Sequence, residues 1–164
     1  MPTVSDAPPQ LPPTDAIQSH ALQARAEAPW FEYPVRAHPH HTDYAGNVWH
    51  GAYVSWLEEA RVECLRSIGI DFSELVALGC DLPVVELAIR YHRSIPMGTH
   101  AIVKCRMLEM DGVRINWDCR IQAASARDLF ATATVTLVAV DREQGRILRQ
   151  LPPSVKAALV KLSV

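Results

Sequence analysis

Residues 38–61, HPHHTDYAGNVWHGAYVSWLEEAR, join a turn-forming acid to the entrance of an apolar helix. Asp43 is followed three residues later by Gly46, a spacing that suits a tight turn. Beyond His50 and Gly51, the residues Tyr53, Trp56, Leu57, Ala60, Cys64 and Ile68 recur at intervals of three and four. That period predicts a helix over about residues 51–68 with a wide apolar stripe. Val54, Val62 and Leu65 extend the stripe, so burial on more than one side is expected, and Gly69 ends the helix. A helix start presents unpaired N–H groups and a partial positive charge, which suit an anion or a developing oxyanion. A carboxylate held beside it could attack a bound carbonyl or activate water against it. The alternative is that Asp43 only bonds the backbone of its own turn.

Working outward, Asp71 is placed to cap a short second helix over residues 72–78, closed by Gly79. Five strand-like runs surround these helices. Residues 30–38 form the first, and Pro34 suits it to a sheet edge. Next, Val85, Leu87, Ile89 and Tyr91 alternate with Glu86, Arg90 and His92. Residues 99–110 place Val103, Cys105 and Met107 opposite Lys104 and Arg106. Asp111-Gly112 signals a two-residue hairpin, after which apolar Val113 to Ile121 alternate with Arg114, Asn116, Asp118, Arg120 and Gln122. Residues 129–140, apolar or threonine throughout, suit a central strand. Pro152-Pro153 opens a last short helix reaching about residue 161. One long helix among five hairpin-linked strands predicts an α+β fold, with an antiparallel sheet, apolar on one face and charged on the other, wrapped on the helix.

The chain has 164 residues, room for one substantial core, and a formal net charge of −2 with no Lys/Arg run, which argues against nucleic acid as a partner. No apolar stretch approaches a membrane span; residues 129–140 are interrupted by three threonines. Residues 1–29 read as a proline-rich N-terminal tail with a possible short helix over 14–27, and residues 30–164 as the single domain. The start lacks the basic and apolar regions of a secretory signal, so a cytoplasmic location is expected. Cys64, Cys80, Cys105 and Cys119 form no C-x-x-C pair and are expected to be buried reduced thiols.

In TDYAGNVWHGAYVSWLEEARVECLRSIGI, the residues Asp43, Gly46, Val48, Trp49, His50, Tyr53, Glu58, Ala60 and Arg61 follow one pattern: Asp-x-x-Gly-x-Val-aromatic-His/Tyr running into Glu-x-Ala-Arg. This stretch resembles the 4-hydroxybenzoyl-CoA thioesterase family of hotdog-fold acyl-CoA thioesterases. The likeness continues more weakly through Tyr91, Pro96-x-Gly98, Gly145-Arg146 and Leu151-Pro152. It implies a hotdog fold, in which a five-stranded antiparallel sheet wraps one long central helix, and hydrolysis of an acyl or aroyl thioester to the acid and coenzyme A. Coenzyme A is then part of the substrate, and neither cofactor nor metal is needed. It further implies a homodimer or a dimer of dimers with coenzyme A across the subunit boundary.

Within that resemblance Asp43 is the nucleophile or general base, and the backbone N–H of His50 polarises the thioester carbonyl. The His50 side chain either touches the substrate or merely packs. Gly46, Val48, Trp49, Tyr53 and Arg114 are the expected substrate contacts. Arg114 is the one basic residue left at the 111–114 hairpin, where related enzymes carry a cationic cluster; Arg90, Arg93 and Lys104 are alternatives or plain surface charges. No Gly-x-Ser-x-Gly elbow is present. His38, His40, His41 and Asp43 approach a metallohydrolase motif but misplace the acid, so no metal is expected. Glu58 and Arg61 suit an ion pair. Two rival functions remain open at this stage: a non-catalytic acyl-thioester-binding hotdog protein, and a hotdog dehydratase using His50.

Overall fold

The computed structural model describes residues 29–108 and 110–162. The expected tail helix over residues 14–27 lies outside the described residues. Strand β1 (Phe31–Arg36) leads through a 3₁₀ turn (Pro39–His41) and the Asp43 loop into helix α1 (His50–Ser67), followed by α2 (Phe72–Ala77). Then come β2 (Cys80–Asp81), β3 (Val84–Tyr91), β4 (His100–Met107), β5 (Arg114–Ala123), β6 (Leu129–Val138), β7 (Val140–Asp141) and α3 (Pro153–Val160). The main sheet is antiparallel in the order β1-β4-β5-β6-β3, with β2 and β7 paired separately. Five strands laid against one long helix is the hotdog arrangement the resemblance implied.

Helix α1 ends as its sequence requires. Gly69, at φ +85°, donates to the Arg66 carbonyl, and Ile70 N–H reaches back to Leu65, the paired bonds of a Schellman cap. Asp71 caps α2 by accepting from Ser73 N–H at 2.9 Å. Pro34 sits on the edge strand β1, opposite Ile102, where its missing N–H costs no ladder bond on the open side. The core lies between α1 and the sheet. Trp56, Leu57, Ala60 and Cys64 meet Val103, Cys105, Trp117, Cys119 and Ile121, all of them buried. All four cysteines are buried free thiols.

Three details depart from the sequence pattern. The two-residue loop of the β4–β5 hairpin is Gly112-Val113, not Asp111-Gly112: Asp111 and Arg114 exchange both backbone bonds, and Gly112 alone takes positive φ, at +61°. Gly at the first loop position is the chemistry of a type II′ turn. The outer face of the sheet is not simply a solvated charged surface, because Arg106 and Asp118, cross-strand partners, are buried there with Nη2–Oδ2 at 3.1 Å. Trp30 covers them, with the Arg106 and Arg120 guanidinium carbons 4.4 and 4.8 Å from its ring centre. Finally, the apolar alternation of β3 is not buried: Val85 and Leu87 are exposed, as is Tyr91. The cause is placement, since α1 packs over β4 and β1 and β3 is the far edge.

Candidate active site

The loop between the 3₁₀ turn and α1 is tied down from both sides. Val48 N–H donates to Ile95 at 2.8 Å, Met97 N–H donates to Gly46 at 2.9 Å, and Thr42 bridges Val48. Inside this frame Asp43 closes its own turn. Its Oδ1 accepts from Ala45 N–H at 2.9 Å and Asn47 N–H at 3.1 Å, while its backbone bonds Asn47 and Gly46. Gly46 makes the reversal possible at φ +76°. The turn reading and the catalytic reading of Asp43 are therefore compatible. One carboxylate oxygen aims the group, and Oδ2 has no hydrogen-bond partner among the described residues.

Trp49 is the N-cap of α1 and supplies no side-chain cap; its N–H donates to His41 at 3.0 Å, and its carbonyl accepts from Ala52. The N–H groups of His50 and Gly51 are left without an acceptor among the described residues. Two orphan donors at the start of an 18-residue helix can receive an anion or a developing oxyanion from backbone alone. Gly51 gives the Trp49 indole its seat: a Cβ would lie 2.1 Å from Trp49 Cη2, so any larger residue must move the ring.

A cleft of about 800 Å³ opens at this point, lined by Asp43, Asn47, Val48, Trp49, His50, Tyr53, Tyr91 and Arg93, with Thr42 and Ser94. Tyr53 is buried and meets Tyr91 edge to face at 5.0 Å. Burial pushes the Tyr53 hydroxyl up to about 12; Tyr91 adds to the rise and a backbone hydrogen bond at Ile95 opposes it. Tyr53 is thus a neutral wall of the cleft and no base.

The structure brings Asp43, Val48, Trp49, His50 and Tyr53 together, while Gly46 shapes the turn behind them. Arg114 is elsewhere. Tyr91, at the cleft, lies level with Ile121, and Arg114 is seven residues earlier on β5, about 23 Å away at the rise of a strand. Arg93, read from sequence as an alternative or a plain surface charge, lines the cleft instead. Only its position just past β3 and before Pro96-x-Gly98 could have flagged it. Glu58 pairs with the buried Arg61, as its spacing suggested. One residue on, Glu59 accepts from the Tyr33 hydroxyl at 3.3 Å.

The histidines of the 3₁₀ turn pack on one another. His38 and His40 stack with centres 5.7 Å apart, His40 and His41 are 4.0 Å apart, and His41 meets Trp56 edge-on. His41 Nδ1 accepts the His38 N–H at 3.1 Å. Burial, with His40 next, holds its pKa below the ordinary value. Among the described residues no three His, Cys, Asp or Glu side chains are placed to share a metal ion, and no helix is long and apolar enough to cross a membrane.

Comparison with known proteins agrees with this geometry. The family model of the thioesterase-like superfamily matches residues 37–159. A Synechocystis sp. protein named as a candidate esterase, sll0410, is 52% identical over 165 residues, covering 97% of this chain and 99% of its own length. Haemophilus influenzae YbgC, named an acyl-CoA thioesterase, is 30% identical over 129 residues, 78% of this chain and 93% of its own. Among solved structures, Slr0204 of Synechocystis, a 1,4-dihydroxy-2-naphthoyl-CoA thioesterase, matches with a TM-score of 0.75 and 22% identity over 82% of this chain and 98% of its own. At that identity the likeness speaks for the fold alone. With the match running from the 3₁₀ turn through α3, the chain belongs to the thioesterase-like superfamily of hotdog proteins.

Proposed function

We propose that the protein hydrolyses acyl-CoA thioesters with Asp43 as its reactive carboxylate and the His50 and Gly51 N–H groups as its oxyanion donors. One observation carries the reading. Among the described residues, the turn leaves Asp43 Oδ2 unpartnered in the same cleft as two unpaired N–H groups at a helix start. A protein that only bound thioesters would need no aimed carboxylate there. The acyl-CoA thioesterase name of YbgC supports the substrate class.

Two routes use the same groups. As general base, Asp43 takes a proton from water while that water's oxygen bonds the acyl carbon; the carbonyl oxygen becomes an oxyanion on the helix start, and collapse expels the coenzyme A thiolate, which is then protonated. As nucleophile, Oδ2 bonds the acyl carbon directly, expels the thiolate and leaves a mixed anhydride for water to cleave. After a single turnover in ¹⁸O-water, label in the Asp43 carboxylate establishes the anhydride route, because only water attack on the Asp43 carbon of the anhydride puts it there.

The unguarded β3 edge supports a homodimer. Its backbone and the exposed Val85, Leu87 and Tyr91 offer a second copy both hydrogen bonds and apolar cover. Antiparallel β3–β3 pairing about a two-fold would bring the partner's Val84 end beside this chain's Tyr91 end. Val84 lies level with Ile115, next to Arg114. The hairpin arginine, remote within one chain, would then reach the site of the other, as the resemblance implied for coenzyme A. The activity test is a panel of acyl-CoA esters with a thiol-reactive reporter, with and without excess chelator. Thiol release that ignores chelator is the expected result; release lost on chelation and restored by zinc overturns the metal-free mechanism.

A further inference from the structure

We infer that Arg93 holds the phosphate-bearing end of the thioester substrate at the mouth of the cleft, an assignment that rests on the acyl-CoA reading above. Among the described residues Arg93 is the only Arg or Lys that lines the cleft. Its backbone is anchored, since the His92 and Arg93 N–H groups both donate to the Phe130 carbonyl, at 2.8 and 3.2 Å. The side chain reaches Asp128 on the β5–β6 connection at 2.5 Å.

That ion pair is open to water, with the two side chains 67% and 43% exposed. Exposed pairs contribute little and are screened by salt, so a phosphate can take Asp128's place at little cost. A guanidinium also presents a planar fork that matches two phosphate oxygens, and its charge does not titrate. Exposure orients the ligand as well. The acyl group belongs on the buried side, against Val48 and Tyr53, and a highly charged nucleotide end belongs in water, where Arg93 stands. Asp128 keeps the guanidinium extended at the rim between turnovers.

The experiment compares one acyl group carried on coenzyme A and on pantetheine, which lacks the nucleotide phosphates. Arg93→Ala should raise KM for the coenzyme A ester about tenfold or more, the size of one lost charge-assisted contact. It should leave kcat and the pantetheine ester nearly unchanged, and Arg93→Lys should recover part of the loss. Arg90→Ala, altering a neighbouring cation on the outer sheet face, should leave both esters unaffected. An equal KM change for the two esters, or no change for either, overturns the assignment. So does a loss that follows a carboxylate on the acyl group rather than the phosphates. Should Asp43 variants stay active, the proposed chemistry fails; should only Arg93 prove indifferent in an Asp43-dependent enzyme, this assignment alone fails.

Discussion

Adding one methyl group at Gly51 tests how the helix start is built. In Gly51→Ala the new Cβ would meet Trp49 Cη2, Cζ3 and Cζ2 at 2.1, 2.3 and 2.6 Å, where ordinary contact begins near 3.4 Å. The indole must therefore leave its seat. Trp49 is 44% exposed, so a little over half of its surface is covered. For a side chain of roughly 250 Å², losing all that cover would cost about 3.5 kcal/mol at about 25 cal/mol per Å². The ring has only to tilt outward, so a loss of about 1–2 kcal/mol is expected, offset by up to about 1 kcal/mol because Ala suits a helix better than Gly. The net is about 1 kcal/mol, or a fall of roughly 2–4 °C in melting temperature for a chain of this size. Both N–H donors survive, so KM for acyl-CoA should rise while kcat holds. Thermal melts and steady-state thiol release measure the two effects. Unchanged Tm and KM would show that the indole does not rest on Gly51, and a collapse of kcat alone would show that its place is not in substrate binding.

Two further outcomes follow from the same structure. His41 has a lowered pKa in the fold, so below about pH 6.5 the unfolded chain takes a proton that the folded one resists, and stability falls with falling pH across that window. Melts between pH 7 and 5 should show the drop, and His41→Leu should flatten its slope; an equal slope in the variant refutes the role of the histidine turn. Asp71, whose pKa is lowered chiefly by the Ser73 side-chain bond, titrates only at lower pH and does not confuse the window. In light scattering the wild type should be a dimer or a multiple of one, while Val85→Glu on the β3 edge should yield inactive monomer. A wild-type monomer with full thioesterase activity contradicts the shared site.

Much of this molecule is legible in the sequence because its signals are local. The three-and-four spacing from Tyr53 to Ile68 and the Gly69 cap define α1 without reference to anything distant, and Pro34 marks its own edge. Asp43-x-x-Gly46 ahead of a helix likewise announces a turn beside orphan donors, although the sequence could not show that one carboxylate oxygen serves the turn while the other stays open. What the sequence could not show is what depends on register and neighbours. Arg114 stands at the opposite end of β5 from the cleft, a fact of strand pairing. Arg93 gains its place only because the segment after β3 bonds Phe130 and the Asp43 loop bonds residues 95–97. The apolar alternation of β3 suggests core, yet an apolar face is buried only where something covers it, and α1 lies over β4 and β1.

Asp43→Asn asks whether the Asp43 charge itself drives hydrolysis. The amide oxygen can still accept from Ala45 and Asn47, so the turn is kept and only the charge is lost. Thiol release from the best acyl-CoA ester should fall on the order of 10²–10⁴-fold, with the melting temperature within about 2 °C of wild type, a shift under 1 kcal/mol. An Asp43→Asn enzyme that keeps more than about half of wild-type turnover, far outside that range, would contradict the account.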